Sequence, residues 1–282
     1  MKLGNMEKSQ SERKKVVRMK SVWIWLSIAL IVIATAGCIE KPQPQEDITL
    51  NNIPKLFEKD VIIVVGENAS SIELDAAKAV AYNLGDISVT KTDANITGEE
   101  KSGNNLILVG RPDANRMLKD VYERTNATEV TKDYPGASKG VLEILRNPWN
   151  ESKMMLLVEG SDEWGMRAGS VVLEEKQKIK DKAKVVVDWE EVTGVMFPID
   201  SPEEAIRYAN TDIRAKEFIK KESARVGTSA RFLNPTNDPF PKFLNITDNW
   251  WIVRYASLSG VEKVMTIYVN LNGTIIYGGV AT

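Results

Sequence analysis

The chain has 282 residues and a mass of 31.4 kDa, with 43% hydrophobic and 27% charged residues. That length suits one or two domains, and the composition is neither that of a disordered chain nor of a fibrous one. There is no histidine, and Cys38 is the single cysteine. Histidine triads, Cys–His dyads, intrachain disulfides and His or thiolate zinc sites are thereby excluded. No metal or cofactor is expected. The chemistry left is that of carboxylates, Lys, Arg, Tyr and hydroxyls.

The N-terminus reads as a membrane signal. Lys2, Lys8, Arg13, Lys14, Lys15, Arg18 and Lys20 stand against Glu7 and Glu12, and the uncharged stretch Ser21–Gly37 follows. Its 17 residues meet the lower end of the roughly 17–25 needed to span a bilayer as an apolar helix. The basic flank should stay cytoplasmic, with everything after it outside. The stretch closes on Thr35-Ala36-Gly37-Cys38. These small residues running into Cys38 resemble a lipoprotein lipobox, although Thr35 stands where that pattern usually has Leu. The resemblance implies lipidation at Cys38 and cleavage before it; an uncleaved anchor over 21–37 is the alternative. Either way, membrane lipid is an expected partner.

Charge and sequons agree with that topology. Beyond residue 38 the chain carries 30 basic and 37 acidic residues. It shows no basic stripe, so nucleic acid is not an expected partner. Asn-x-Ser/Thr occurs at Asn68, Asn95, Asn126, Asn150, Asn245 and Asn272, all after the apolar stretch, while Asn234 is followed by Pro. Chance pairing of 19 Asn with 33 Ser and Thr predicts roughly two such sites. The excess points to a glycosylated cell-surface protein and, beside a lipoprotein-like signal, leans towards an archaeal surface.

Residues 39–55 read as a polar, Pro-containing linker. An α/β domain is expected over 56–198. Val61–Val65 is a continuous β-branched run, as in a strand buried on both faces. Ser70 or Ser71 can cap a helix to Leu84, closed by Gly85. Further strands are expected at Ile87–Thr90 and Leu106–Val109, and a helix opens at Arg111-Pro112-Asp113. Val141–Leu145 and Met154–Val158 read as an antiparallel pair. Ser161 or Asp162 caps a helix to about Ile179, and Val185–Val187 is a last strand. This alternation predicts a three-layer α/β sandwich with a mostly parallel sheet.

Three segments carry a resemblance: DVIIVVGENASSIELDAAKAVAYNLG, NLILVGRPDAN and KGVLEILRNPWNESKMMLLVEGSDEWGMRAGSVVL. Together they resemble the α/β domain of archaeal S-layer proteins, over about residues 58–196. A looser likeness runs to the regulatory subunits of bacterial cellulose synthase. Arg111 replaces the second Gly of that family's turn, and Glu159 stands where Ala is common. The resemblance implies an envelope module with no known chemistry.

In a parallel sheet, Glu67, Arg111, Asp113 and Asp162 would emerge at one edge, where ligands of open α/β sheets bind. With Arg167 nearby, that edge would suit a sugar or a cation. The alternative is that Asp113 and Asp162 are plain helix caps. Neither a dinucleotide fingerprint, a P-loop nor a GxSxG frame occurs.

Residues 199–282 change character. Ser201-Pro202-Glu203-Glu204 starts a helix expected to run to about Glu222. A Pro- and Phe-rich loop spans 232–243. Asn249–Ser257, Val261–Leu271 and Thr274–Tyr277 then read as antiparallel strands, with Asn272-Gly273 as a turn. Trp251-Ile252-Val253-Arg254-Tyr255, Tyr268-Val269-Asn270 and Gly273-Thr274-Ile275 resemble the strands of PepSY-like or cystatin-like domains. That likeness implies a small α+β binding or inhibitory module. One of Trp250 and Trp251 must face away from the core and offer an aromatic contact, unless the 227–248 loop covers it.

The expectation is a membrane-tethered envelope protein, not an enzyme, whose partners are other envelope proteins or glycans. The alternatives are a ligand-binding lipoprotein, marked by an enclosed cleft, and a carboxylate hydrolase built on Glu67, Asp113 and Asp162.

Overall fold

All five side chains of Val61–Val65 (β1) are buried, as a run without polar alternation requires. The computed structural model describes residues 48–282, except 86–87, 176–178, 180, 223–224 and 259–262. The basic flank, the apolar stretch 21–37 and Cys38 lie outside the described residues. Among the described residues, no helix is long and apolar enough to cross a membrane.

A six-stranded mixed sheet is built in the order β2-β1-β3-β5-β4-β6. Its other strands are Val89–Thr92 (β2), Asn105–Gly110 (β3), Lys139–Asn147 (β4), Asn150–Gly160 (β5) and Lys184–Asp188 (β6). β2, β1, β3 and β5 run parallel, while β4 is antiparallel to both β5 and β6. Strand alternation splits the core. Ile63, Val65, Ile107, Leu156 and Val158 meet the helices Ser71–Asn83 (α2) and Glu163–Val172 (α5). Ile62, Val64, Leu106, Leu108 and Leu157 meet Arg116–Arg124 (α4) on the opposite face. Two short helices complete this part: Ile53–Leu56 (α1) precedes β1, and Gly98–Gly103 (α3) lies between β2 and β3 in the chain. Leu50 and Ile53, placed at the end of the expected linker, are buried in the core.

α5 meets β4 backbone to backbone. A Cβ on Gly165 would sit 2.0 Å from the Lys139 carbonyl oxygen, and one on Gly140 would sit 2.1 Å from that of Gly165. Only paired glycines allow this approach.

The second sheet is antiparallel, in the order β10-β9-β8-β7. Its strands are Val226–Leu233 (β7), Trp250–Ser257 (β8), Val264–Asn270 (β9) and Ile275–Ala281 (β10). Between the sheets come Trp189–Thr193 (α6), Pro202–Ala209 (α7) and Ile213–Lys221 (α8). The single helix expected from Ser201 is thus two. Asn210-Thr211-Asp212 interrupts it, because the Asp212 side chain caps α8 by accepting from the Arg214 N–H. α5 likewise stops at Val172, short of Ile179. β7 occupies residues read as loop: its mostly exposed pattern carries little of the alternation that marks a strand.

Trp251, Val253, Tyr255, Met265 and Ile267 join the same hydrophobic cluster as α2, α5 and the first sheet. The rings of Trp164, Trp189, Phe197 and Tyr208 pack together there, with the Trp164 and Phe197 centroids 4.2 Å apart. The β9–β10 turn lands on this group. The Tyr208 hydroxyl donates to the Gly273 carbonyl at 2.5 Å. Gly273 has φ +87°, and a Cβ there would lie 2.4 Å from the Trp164 ring.

Candidate functional site

Because β1, β3 and β5 are parallel, the loops that follow them leave the sheet at one edge. Arg111 is the hub of that edge. Its backbone N–H donates to Glu73 Oε1 at 3.0 Å, and its Nε lies 3.3 Å from the same atom. Asp113 and Glu163 stand 3.8 and 4.0 Å from its guanidinium. Glu73 is fully buried, and its other oxygen closes the capping box of α2 with Ser70. The structure therefore brings Arg111 and Asp113 together, but Glu67 and Asp162 take other partners.

Glu67 belongs to a second cluster. Arg116 Nη2 lies 3.3 Å from Glu67, and Arg116 Nε lies 3.1 Å from Asp93. The Glu67 and Arg116 backbone N–H groups donate to the two oxygens of Asp93 at 2.8 and 2.9 Å. Burial alone would raise the Asp93 carboxyl, but these N–H groups and the guanidinium hold it below its usual value. Asp162 caps α5, accepting from the Gly165 N–H and from Ser138 N–H, each at 2.8 Å. It is the plain cap that was one of the two readings of it. Glu67, Asp113 and Asp162 thus each lie beside a different partner: Arg116, Arg111 and the N-terminus of α5.

Sequence reasoning missed Glu73, Asp93 and Arg116. The Ser70-x-x-Glu73 spacing carried a capping-box signal for the first, but nothing local marks the other two.

Arg167, grouped with Arg111 from the sequence, points to other partners. Its Nη2 donates to the Thr211 carbonyl at 2.8 Å, and its Nη1 is buried without a hydrogen bond. It lines a cavity of about 140 Å³ together with Ser71, Asp75, Asp212, Asn272 and Thr274. Burial lowers the affinity of the Arg167 guanidinium for its proton, a cost that Asp75 and Asp212 offset only in part.

A buried carboxyl sits at the end of β5, on the α4 side. Glu159 is fully buried; Tyr122 donates to its Oε2, while Oε1 has no hydrogen-bond partner. Burial raises this carboxyl from 4.5 to about 8, Glu143 adds to the rise, and the Tyr122 bond partly opposes it.

The expected aromatic contact is corrected. Trp250 and Trp251 are 2% and 8% exposed. Trp251 faces the main core and donates from Nε1 to the Ile199 carbonyl. Trp250, on the opposite face, packs with Leu244 and Phe240 of the 234–249 loop and donates to Asn245 O. The loop supplies the cover that one sheet face would otherwise lack.

The sequon asparagines Asn68, Asn95, Asn126, Asn245 and Asn272 are exposed, whereas Asn150 is half-buried. Asn150 donates from Nδ2 to the Ser102 carbonyl at 2.8 Å. Among the described residues, no cluster of three Cys, Asp or Glu is placed to hold a metal ion.

No protein-family model matches the chain. The chain is similar to the uncharacterized protein MJ0954 of Methanocaldococcus jannaschii, with 24% identity over 156 residues. The match covers 51% of this chain and 35% of that protein, so the chain spans about a third of its relative's length.

Proposed function

We propose that this is an extracytoplasmic protein of the cell envelope, tethered at its N-terminus to the outer face of the membrane. It acts through the contacts of its surface with envelope proteins or glycans and not through catalysis. The observation that carries this reading is the placement of the sequons. All six follow the apolar stretch, and five of the six asparagines are exposed and open to modification. Support also comes from the resemblance of residues 58–196 to archaeal S-layer domains, and from the archaeal source of the similar protein.

The test is the intact mass of the protein extracted from native membranes, before and after glycan removal. The expected result is a chain starting at Cys38 with lipid attached, or a full-length chain retained as an anchor. Either form should carry glycans on the exposed sequons. An unmodified full-length chain in the soluble cytosolic fraction would overturn the reading.

A further inference from the structure

The cavity beside Arg167 has the features of a built binding site. Arg167 is 6% exposed and sits one turn into α5, yet no carboxylate among the described residues lies within salt-bridge distance of it. Asp212, which lines the same cavity, is taken by Arg214 through Nε at 2.8 Å and Nη2 at 2.6 Å. A buried guanidinium held by one backbone carbonyl, with Nη1 unpartnered and no carboxylate in direct contact, is costly. A ligand oxyanion would remove that cost with charge-assisted hydrogen bonds.

A second feature of the same cavity is electropositive. Ser71 is the first residue of the 13-residue helix α2. The N-cap Ser70 satisfies the Glu73 N–H, and none of the described hydrogen bonds engages the Ser71 and Ile72 N–H groups. Both residues line the cavity, at the positive end of the helix dipole. The Thr274 and Ser71 side chains add hydroxyls. Asp75 adds one carboxylate, already held on its outer side by Lys78 at 2.9 Å. That carboxylate disfavours a multiply charged anion and favours a ligand carrying a donor beside its acid group. The volume of about 140 Å³ far exceeds the roughly 15 Å³ that one water needs.

We infer that this cavity binds a small carboxylic acid bearing an adjacent amino or hydroxyl group, with its carboxylate at Arg167 and the α2 N-terminus and its donor at Asp75. The inference does not depend on the membrane tether, and its test uses unglycosylated protein, because Asn272 is both a sequon and part of the cavity lining.

The test is calorimetric titration and thermal shift of the full chain with glycine, glycolate, acetate and inorganic phosphate. Glycine or glycolate should bind saturably, acetate more weakly, and phosphate not measurably. Arg167→Gln should weaken binding by at least about tenfold. Asp75→Asn, at a half-exposed position, should leave acetate binding intact and erase the preference for the α-substituted acids. If Arg167→Gln fails to fold, Ser71→Ala and Asp75→Asn still carry the test. The inference is overturned if no carboxylate binds at millimolar concentration. It is equally overturned if phosphate binds as tightly as glycine or glycolate, if Arg167→Gln binds glycine and glycolate as tightly as the wild type, or if Asp75→Asn keeps the preference for the α-substituted acids over acetate.

Discussion

Replacing Glu159 by Gln tests the buried carboxyl at the end of β5. In the folded chain this group titrates near 8, against 4.5 when solvated. Between those values the folded state holds a proton that the unfolded state releases, so stability falls as pH rises through this window. At about 1.4 kcal/mol per pH unit, the interval from 4.5 to about 8 amounts to about 5 kcal/mol, of which about 3 kcal/mol is already lost at neutral pH. Glu159→Gln removes the titration but keeps the acceptor for Tyr122, at a cost of about 1–2 kcal/mol for a buried amide N–H with no acceptor. Denaturant midpoints of the two proteins should therefore cross. The wild type should be the more stable at about pH 5, and the variant by several kcal/mol at about pH 9. Parallel pH profiles would refute the reasoning, because they would mean that water or a movement of Tyr122 solvates the carboxylate.

Gly165→Ala should destabilise by about 3 kcal/mol or more, since its Cβ would sit 2.0 Å from the Lys139 carbonyl oxygen; thermal unfolding checks this. Asp93→Asn should cost about 1–2 kcal/mol at neutral pH by weakening its bonds to Arg116 and Glu67. Because the folded carboxyl lies below 3.8, that contribution is present above 3.8 and fades as the pH falls through the folded value. The variant and wild type should therefore converge in acid. Trp164→Ala should cost about 3–5 kcal/mol and expose the β9–β10 turn to protease, because the Trp164 ring seats Gly273. Glycopeptide mapping should find Asn150 empty while the exposed sequons are occupied, since attachment there would disturb its amide bond to the Ser102 carbonyl.

How much of this was legible in the sequence depends on the range of the forces involved. A strand buried on both faces must be apolar throughout, so β1, the core of β3 and the end of β5 could be read from Val61–Val65, Leu106–Val109 and Met154–Val158. A cap is chosen by the few residues it touches. The helix starts after Ser70, Asp162 and Ser201 were therefore readable as well. The break at Asn210–Asp212 was a local signal too, but the apolar spacing across it obscured it.

The site was another matter. Burial of Glu73 beneath Arg111 joins residues 38 apart, and the Asp93–Arg116–Glu67 cluster joins two loops and the start of α4. The cover over Trp250 comes from a loop with little periodicity of its own. The cavity at Arg167 forms only because α2, α5, α7 and the β9–β10 turn converge, with Gly273 small enough to sit on Trp164. Periodicity and capping act within a turn or a strand, so one stretch of sequence records them. Ion pairs and cavities are set by how elements pack, and that was decided by the tertiary structure.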